Sequence, residues 1–180
     1  MVVTDFLSKG RRDISLAYFN HDTGHSKHAE DFVRAYADKH ELPLLVGKCS
    51  TQKGKRSFEE YWRDERYAFL ERIKSDFIIT CHHLDDTLES WVMGACHGQP
   101  KLIPYSRGTK IYRPFLMTPR SSLLRYASEN EVDWVEDPSN DCLRYSRNQI
   151  RHRVIPELLK VNPGIRTMVR KKLLEKYRSI

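Results

Sequence analysis

The sequence predicts an α/β fold in which a parallel sheet is covered by helices. Short apolar runs alternate with longer segments that carry apolar residues at helical spacing. Signals for tight two-residue hairpins do not interrupt this alternation. Such a pattern is typical of parallel strands joined by crossover helices, so we expect helices on both faces of the sheet. A small, helical and basic part is expected to follow it.

Each element is predicted from its own residues. The apolar runs predict strands, a short one last, over residues 14–19, 43–46, 77–81 and 111–115. Helices are predicted over residues 1–7, 26–40, 57–74, 85–95 and 121–130. The signals are apolar residues at helical spacing, an apolar stripe, or an N-terminal cap such as Ser57. Residues 98–112 contain two prolines and two glycines and are predicted to be a loop. Two basic helices are expected within 145–177, separated around Asn162-Pro163-Gly164.

Composition limits the class of protein. A chain of 180 residues with 39% hydrophobic residues can bury one sizeable core, with room for a small appendage. No apolar run approaches the roughly 20 residues of a membrane span, and no signal-peptide pattern opens the chain, so a cytoplasmic location is expected. The four cysteines form no Cys-x-x-Cys pair, which favours free thiols over a metal or redox site. A formal charge of +7 is suited to a polyanionic partner.

The densest group of chemically active side chains lies just after the predicted strand 77–81. Residues 80–90 read TCHHLDDTLES, which places two histidines and two carboxylates within five positions at a junction between a strand and a helix. Open parallel sheets bind nucleotides at such junctions. These polar groups would be costly to bury in an ordinary core. We therefore interpret the segment as the edge of an active site.

Five segments together resemble the tRNA(Ile)-lysidine synthetase family. In chain order they are RDERY (63–67), TCHHLDDTLES (80–90), IYRPF (111–115), DPSN (137–140) and RNQIR (147–151), followed by Pro156. Members of that family are N-type ATP pyrophosphatases with an adenine nucleotide alpha hydrolase-like domain. They adenylate the C2 oxygen of the wobble cytidine in a tRNA anticodon, and free lysine then displaces AMP to give lysidine. The resemblance therefore implies ATP, Mg²⁺, lysine and the anticodon region of a tRNA as ligands.

Residue chemistry agrees with roles for the 80–90 segment in such a reaction. Carboxylates are hard oxygen ligands that suit Mg²⁺, which makes Asp86 the leading metal ligand and Asp85 its neighbour. The alternative, which applies to Asp85 in particular, is that one carboxylate only caps the following helix. His82 and His83 point in opposite directions on extended backbone. We favour His82 as the histidine that faces substrate, with His83 packed or hydrogen bonded beneath the site.

Arginines supply the remaining candidate contacts. Arg63, expected to be catalytic, and Arg66 lie three positions apart on one predicted helix, where a solvated ion-pair face is the ordinary alternative. Arg147 and Arg151 are four positions apart with Asn148 between them, a spacing suited to phosphate and base-edge contacts. A basic helix can equally be a solvated face. The candidate tRNA-binding set is Arg66, Arg113, Arg147, Asn148 and Arg151.

The chain departs from the family pattern at its beginning. Relatives open with a strand ending in Ser-Gly-Gly-x-Asp-Ser, whose amides hold the ATP phosphates, and this sequence contains no such motif. Residues 1–115 are therefore expected to form an incomplete α/β domain that lacks the first strand. A separate polypeptide is one candidate source of that strand and loop. Residues 116–180 are expected to form the helical, tRNA-contacting region.

Three functions follow from these observations. The first is a lysidine synthetase-like ligase, or the larger fragment of one, whose activity in isolation is open. The second is a tRNA-binding remnant that has lost ATP chemistry together with the phosphate loop. The third is another tRNA-modifying ATP pyrophosphatase, which the absence of Cys-x-x-Cys makes less favoured if that enzyme transfers sulfur.

Overall fold

A computed structural model describes residues 1–10, 13–49, 54–55 and 57–178. The chain divides into two compact units. Unit 1 comprises Met1–Ser75 together with Glu129–Asp137, and unit 2 comprises Asp76–Ser128 together with Pro138–Ile180.

Unit 1 is built on a pair of parallel strands. Its helices and strands, in chain order, are α1 (Val2–Ser8), β1 (Leu16–Asn20), α2 (Ser26–Lys39), β2 (Leu44–Lys48) and α3 (Phe58–Arg72). Strands β1 and β2 pair in parallel from Leu16 opposite Leu44 to Asn20 opposite Lys48. Helix α2 provides the crossover between them, as the alternating pattern predicts.

The start of α3 and its close approach to the sheet both follow from individual residues. The Ser57 Oγ accepts a hydrogen bond from the Glu60 N–H at 3.2 Å, which confirms Ser57 as the N-cap. Gly47 lies on β2 where a Cβ atom would stand 2.6 Å from Phe69 Cδ2. A side chain at position 47 would therefore push Phe69 away from Phe19, whose ring centroid lies 5.7 Å from that of Phe69.

Unit 2 combines a small mixed sheet with most of the helices. Its elements are β3 (Ile78–Ile79), α4 (Leu84–Cys96), β4 (Ser106–Arg107), β5 (Ile111–Tyr112), α5 (Arg120–Glu129), a 3-10 turn (Pro138–Asp141), α6 (Ser146–Gln149), a π-helical segment (Ile150–Val154), α7 (Ile155–Val161) and α8 (Ile165–Tyr177). Strand β5 lies in the middle, parallel to β3 and antiparallel to β4.

The β4–β5 hairpin corrects the prediction that residues 98–112 form a loop. Ser106 pairs with Tyr112 and Arg107 with Ile111, so residues 108–110 make a three-residue connection. Gly108 adopts φ +60°, the left-handed conformation that such connections use. Strand β4 is only two residues long, too short to give a periodic apolar signal, and the turn glycine was the only clue to it in the sequence.

The core of unit 2 fixes α4 against the C-terminal helices. Leu84, Leu88 and Val92 recur every four residues on α4 and are at most 4% exposed. The residues buried against them are Leu116, Ile150, Ile155, Ile165, Val169 and Leu173. Because side chains from α4, the π-helical segment, α7 and α8 share one apolar cluster, the polar residues of α4 and of the segment 146–151 are held at defined positions.

The helical segment 146–161 is continuous but irregular. Residues Ile150–Val154 are π-helical, and Pro156 follows at the start of α7. Pro156 has no N–H, so the carbonyl of His152 loses its α-helical donor. Helix α7 ends at Val161 and α8 begins at Ile165, which confirms a break around Asn162-Pro163-Gly164.

The α/β fold class, with parallel strand pairs, covering helices and a helical C-terminal part, is confirmed. The observed strand ends differ from the predicted ones by up to three residues. The largest difference is at β5, which ends at Tyr112. All four cysteines are free. Within the described ranges, no helix has the length and apolar character that crossing a membrane requires.

Candidate functional site

The N-terminus of α4 is closed by His83 and Asp86, two of the predicted site residues. The His83 N–H donates to Asp86 Oδ2 at 2.9 Å, and the Asp86 N–H donates to His83 Nδ1 at 3.3 Å. This reciprocal pair is a capping box with histidine in the place usually taken by serine or threonine. The carboxylate that caps α4 is therefore Asp86 and not Asp85.

His82 contacts a different residue from His83. Its Nδ1 lies 3.1 Å from Thr80 Oγ1, and its side chain is half-buried. The hydroxyl of Thr80 can donate to this nitrogen or accept from it, so the contact suits either tautomer of His82.

Asp85 joins three helices. Its Oδ2 accepts the Arg120 N–H at the start of α5, and its Oδ1 accepts the Arg166 Nε–H from α8, both at 2.8 Å. Burial alone would raise the pKa of Asp85, but the Arg120 N–H and the Arg166 guanidinium outweigh burial and hold that pKa below its ordinary value. Asp85 is therefore ionised at neutral pH.

Glu89 is the central acidic residue of this region. Its side chain is only 3% exposed and accepts hydrogen bonds from Arg147 Nε at 2.7 Å and from Arg151 Nε at 2.6 Å. Arg151 Nη2 adds a third bond at 3.1 Å, and Arg147 Nη2 reaches Asp86 Oδ1 at 3.1 Å. Together these residues form a carboxylate–arginine cluster, defined as Asp85, Asp86, Glu89, Arg147, Arg151 and Arg166.

Sequence reasoning missed two members of this cluster, Glu89 and Arg166. Glu89 lies four and three positions after Asp85 and Asp86, so helical spacing alone places all three carboxylates on one side of α4. That signal was available in the sequence. The position of Arg166 opposite Asp85 depends on how α8 packs on α4, which no local pattern reveals.

Charges within the cluster are balanced, with three carboxylates facing three guanidinium groups. The hydrogen bond to Glu89 is the main cause that raises the pKa of Arg151 above its already high value. Arg151 therefore remains charged at any physiological pH.

Asn148 and Arg113, both predicted to bind tRNA, are buried. Asn148 is 7% exposed, and its Nδ2 donates to the carbonyl oxygens of Ser139 at 2.8 Å and Cys142 at 3.0 Å. Arg113 is 3% exposed, and its Nη1 donates to the Pro104 carbonyl oxygen at 2.8 Å. In this structure, both side chains fasten neighbouring loops of unit 2.

Arg63 and Arg66 lie in unit 1, on α3. The side chain of Arg63 is 59% exposed, and its Nε lies 3.7 Å from Asp64 Oδ1. The guanidinium carbon of Arg66 lies 5.5 Å from the ring centroid of Tyr67. The other predicted site residues all belong to unit 2.

A family model described as the PP-loop domain matches residues 1–158. The chain belongs to the PP-loop domain family. The matched range contains every predicted site residue and every member of the carboxylate–arginine cluster except Arg166.

Curated relatives of this PP-loop domain are named tRNA(Ile)-lysidine synthase, as the sequence resemblance suggested. The protein of Exiguobacterium sibiricum is 27% identical over 175 residues, that of Haemophilus ducreyi 28% over 181 residues, and that of Persephonella marina 30% over 164 residues. The alignments cover 91%, 94% and 85% of this chain, and 42%, 42% and 36% of the relatives. The chain thus spans about two fifths of the length of these relatives.

The carboxylates of this PP-loop domain do not by themselves fit a Mg²⁺ ion. Across residues 1–10, 13–49, 54–55 and 57–178, no three His, Cys, Asp or Glu side chains converge as a metal site. Asp85 is bound by Arg166, and Asp86 by Arg147. Since Mg²⁺ requires several oxygen ligands in octahedral geometry, binding here needs oxygens from elsewhere and the release of these arginines.

Proposed function

We propose that this chain is the PP-loop part of a tRNA-modifying enzyme of the tRNA(Ile)-lysidine synthase type, acting in the cytoplasm on ATP, lysine and tRNA. The observation that carries the proposal is the match of residues 1–158 to the PP-loop domain, in line with relatives that bear that name. The site geometry supports it, since histidine, carboxylate and arginine groups meet at one end of α4.

The proposed reaction has two steps. The C2 oxygen of the wobble cytidine attacks the α-phosphorus of ATP, and pyrophosphate leaves. An amine of lysine then attacks C2, the bond from C2 to the adenylate oxygen breaks, and AMP leaves while the amine loses a proton. His82 is the proposed proton acceptor, with His83, Asp86 and Arg63 as further catalytic groups.

The residues proposed to contact tRNA divide by exposure. Arg147 and Arg151 are 41% and 33% exposed and present guanidinium groups that suit phosphate oxygens. Asn148 and Arg113 are proposed to hold the loops that lie beside the RNA. Arg66 is proposed to add a third basic contact. Magnesium binding by Asp85 and Asp86 stays a prediction, as does a separate polypeptide that supplies a strand and a phosphate-binding loop.

A second candidate is a tRNA-binding protein without ATP chemistry. One observation favours it: both predicted metal carboxylates are already neutralised by arginines of the same unit. Such a neutral cluster holds the helices together without any nucleotide.

Product formation separates the two candidates. The chain is incubated with ATP, Mg²⁺, lysine and a tRNA(Ile) transcript, and AMP and pyrophosphate are measured together with tRNA affinity. The enzyme hypothesis predicts both products, and turnover that requires lysine. Binding of tRNA without either product supports the second candidate. A chain that neither turns over nor binds tRNA contradicts both.

We expect Asp86→Asn to abolish turnover and to leave tRNA affinity within about twofold, because the amide keeps the helix cap but removes the charge. The matched control is Asp31→Asn, an exposed aspartate of α2, which should keep full activity. Turnover by the Asp86→Asn variant at the level of the unaltered chain would contradict the assigned catalytic role.

A further inference from the structure

A buried carboxylate in unit 2, that of Glu89, is paired with two arginines. Glu89 is 3% exposed, and both of its oxygens accept hydrogen bonds from Arg147 or Arg151. Burying an ionised carboxylate is costly unless it is paired and hydrogen bonded. The short distances of 2.6 and 2.7 Å are typical of charge-assisted bonds. The same hydrogen bonds therefore neutralise the Glu89 carboxylate and hold the two guanidinium groups in place.

Both arginines are held by hydrogen bonds within unit 2 and keep part of their side chains exposed. Glu89 contacts Nε of both guanidinium groups, and Asp86 contacts Nη2 of Arg147. Within the part of the chain that the structure describes, no hydrogen bond engages Nη1 of Arg147. Arg151 Nη1 donates to Asn140 Oδ1 at 3.4 Å, so each of the three nitrogens of Arg151 makes a hydrogen bond. Because a guanidinium group has five N–H donors, two N–H donors of Arg151 are left for another acceptor, and 41% of the Arg147 side chain and 33% of the Arg151 side chain are exposed.

From this geometry we propose that Glu89 is a positioning residue that presets Arg147 and Arg151 to bind two phosphate groups of RNA. The inference rests on the proposed function, from which RNA is the partner. The two arginines lie four residues apart, on successive turns around the junction of α6 and the π-helical segment. Their preset donors form a pair with a defined spacing, which a flexible basic tail lacks.

The proposal predicts an effect on selectivity rather than on raw affinity. A free arginine side chain has many rotamers, and ordering it in advance reduces the conformational entropy that is lost on binding. At the same time Glu89 cancels one positive charge, which weakens attraction to any polyanion. Glu89 therefore favours an RNA whose phosphates match the preset spacing over one whose phosphates do not.

The test compares Glu89→Gln with the unaltered chain. Dissociation constants for a tRNA(Ile) transcript and for an unrelated tRNA are measured over a range of salt concentrations by fluorescence anisotropy, and folding is checked by circular dichroism. We expect the affinity for the unrelated tRNA to stay equal or to rise, and the ratio of the two affinities to fall about tenfold. A purely structural role predicts a parallel loss of both affinities.

Two further variants make the test specific. Arg151→Lys keeps the charge but lacks the Nε and Nη2 donors that bind Glu89. The affinity ratio should therefore fall for this variant, which provides a test even if Glu89→Gln folds poorly. Glu157→Gln removes an exposed carboxylate of α7 that pairs with Lys160, and it should leave the ratio unchanged.

The outcomes separate the two proposals. A folded Glu89→Gln variant, or an Arg151→Lys variant, that keeps the full affinity ratio overturns the positioning role alone. An unaltered chain that does not bind tRNA(Ile) more tightly than the unrelated tRNA contradicts the proposed function and this inference together.

Discussion

His21, which follows β1 in unit 1, shows how one side chain can carry a pH response. Its ring lies 5.1 Å from that of Phe19 and 5.7 Å from that of Trp62, measured between centroids. Within the described residues its Nδ1 is buried without a hydrogen-bond partner. Burial first, and the positive charge of Arg66 second, lower the pKa of His21 to about 4, although Asp137 opposes them.

The lowered pKa makes the stability of the protein depend on pH. Between pH 6.5 and about 4 the unfolded chain binds a proton at His21 and the folded chain does not, so stability decreases as the pH falls through that window. The free energy of unfolding should fall between pH 6.5 and about 4, and we expect His21→Leu to reduce this fall by about 1 to 3 kcal/mol. Urea unfolding at several pH values measures it, with His28→Leu, at an exposed histidine of α2, as control. Equal pH slopes for the His21 variant and the unaltered chain would refute the assignment.

At the same scale, the sequence predicted which residues gather at α4 better than it predicted what they bind. The strand-to-helix pattern places His82, His83 and Asp86 after β3 and at the start of α4, and the structure shows them there. That His83 would replace serine or threonine in the capping box was not predictable, because histidine is a rare cap. The burial of Asn148 depends on a fold of residues 138–142 that has no local signal.

At the scale of elements, α4 ends against the chain that follows it. Gly94 lies in the last turn of α4, where a Cβ atom would stand 2.4 Å from the Gln99 carbonyl oxygen and 3.0 Å from the Lys101 nitrogen. Both neighbours are backbone atoms, which cannot rotate away. The glycine therefore permits the tight exit from the helix.

Gly94→Ala should destabilise the protein by about 1 to 3 kcal/mol, since the clash with backbone outweighs the roughly 1 kcal/mol that alanine ordinarily adds in a helix. Thermal unfolding followed by circular dichroism measures the change. Gly24→Ala is the control, because nothing lies within 4 Å of a Cβ atom there. An alanine variant at position 94 that melts at or above the temperature of the unaltered chain would disprove the close contact.

Elements with several consistent sequence signals were predicted well. The two-residue strand β4, which has no apolar run, was not predicted. Helix α3 has a cap, an apolar face and length, and its predicted and observed starts agree at Ser57. Strand β4 reads Ser-Arg and owes its existence to pairing with β5. Tertiary pairing of this kind outweighs local propensity.

At the scale of the whole molecule, a formal charge of +7 favours polyanions, and α8 concentrates exposed cations. Those in and just after this helix are Arg170, Lys171, Lys172, Lys176 and Arg178. Fold class, composition class and the PP-loop relationship were all accessible from the sequence, because they depend on patterns spread over many residues. The division into two units was not, since residues 129–137 join unit 1 from a distant part of the sequence.

Under the proposed function, reversing charge on α8 should weaken tRNA binding without changing selectivity. Lys171→Glu combined with Lys172→Glu is expected to lower the affinity for any tRNA by a similar factor and to reduce the salt dependence by about one for each phosphate that is no longer neutralised. Anisotropy titrations at several salt concentrations provide the measurement. Lys27→Glu with Lys39→Glu on α2 makes the same change in net charge. If that pair has an equal effect, overall charge and not α8 governs binding.

The π-helical segment Ile150–Val154 has a consequence for how this region tolerates insertions and deletions. A π-helical turn closes with an i→i+5 hydrogen bond and so holds one residue more than an α-helical turn. Deleting one residue here, with the turn becoming α-helical, would therefore leave Ile155 in the apolar cluster and Arg147 in place. Natural variants one residue shorter are expected to fold in the same way, whereas the loss of a second residue would turn Ile155 by about 100° out of the cluster.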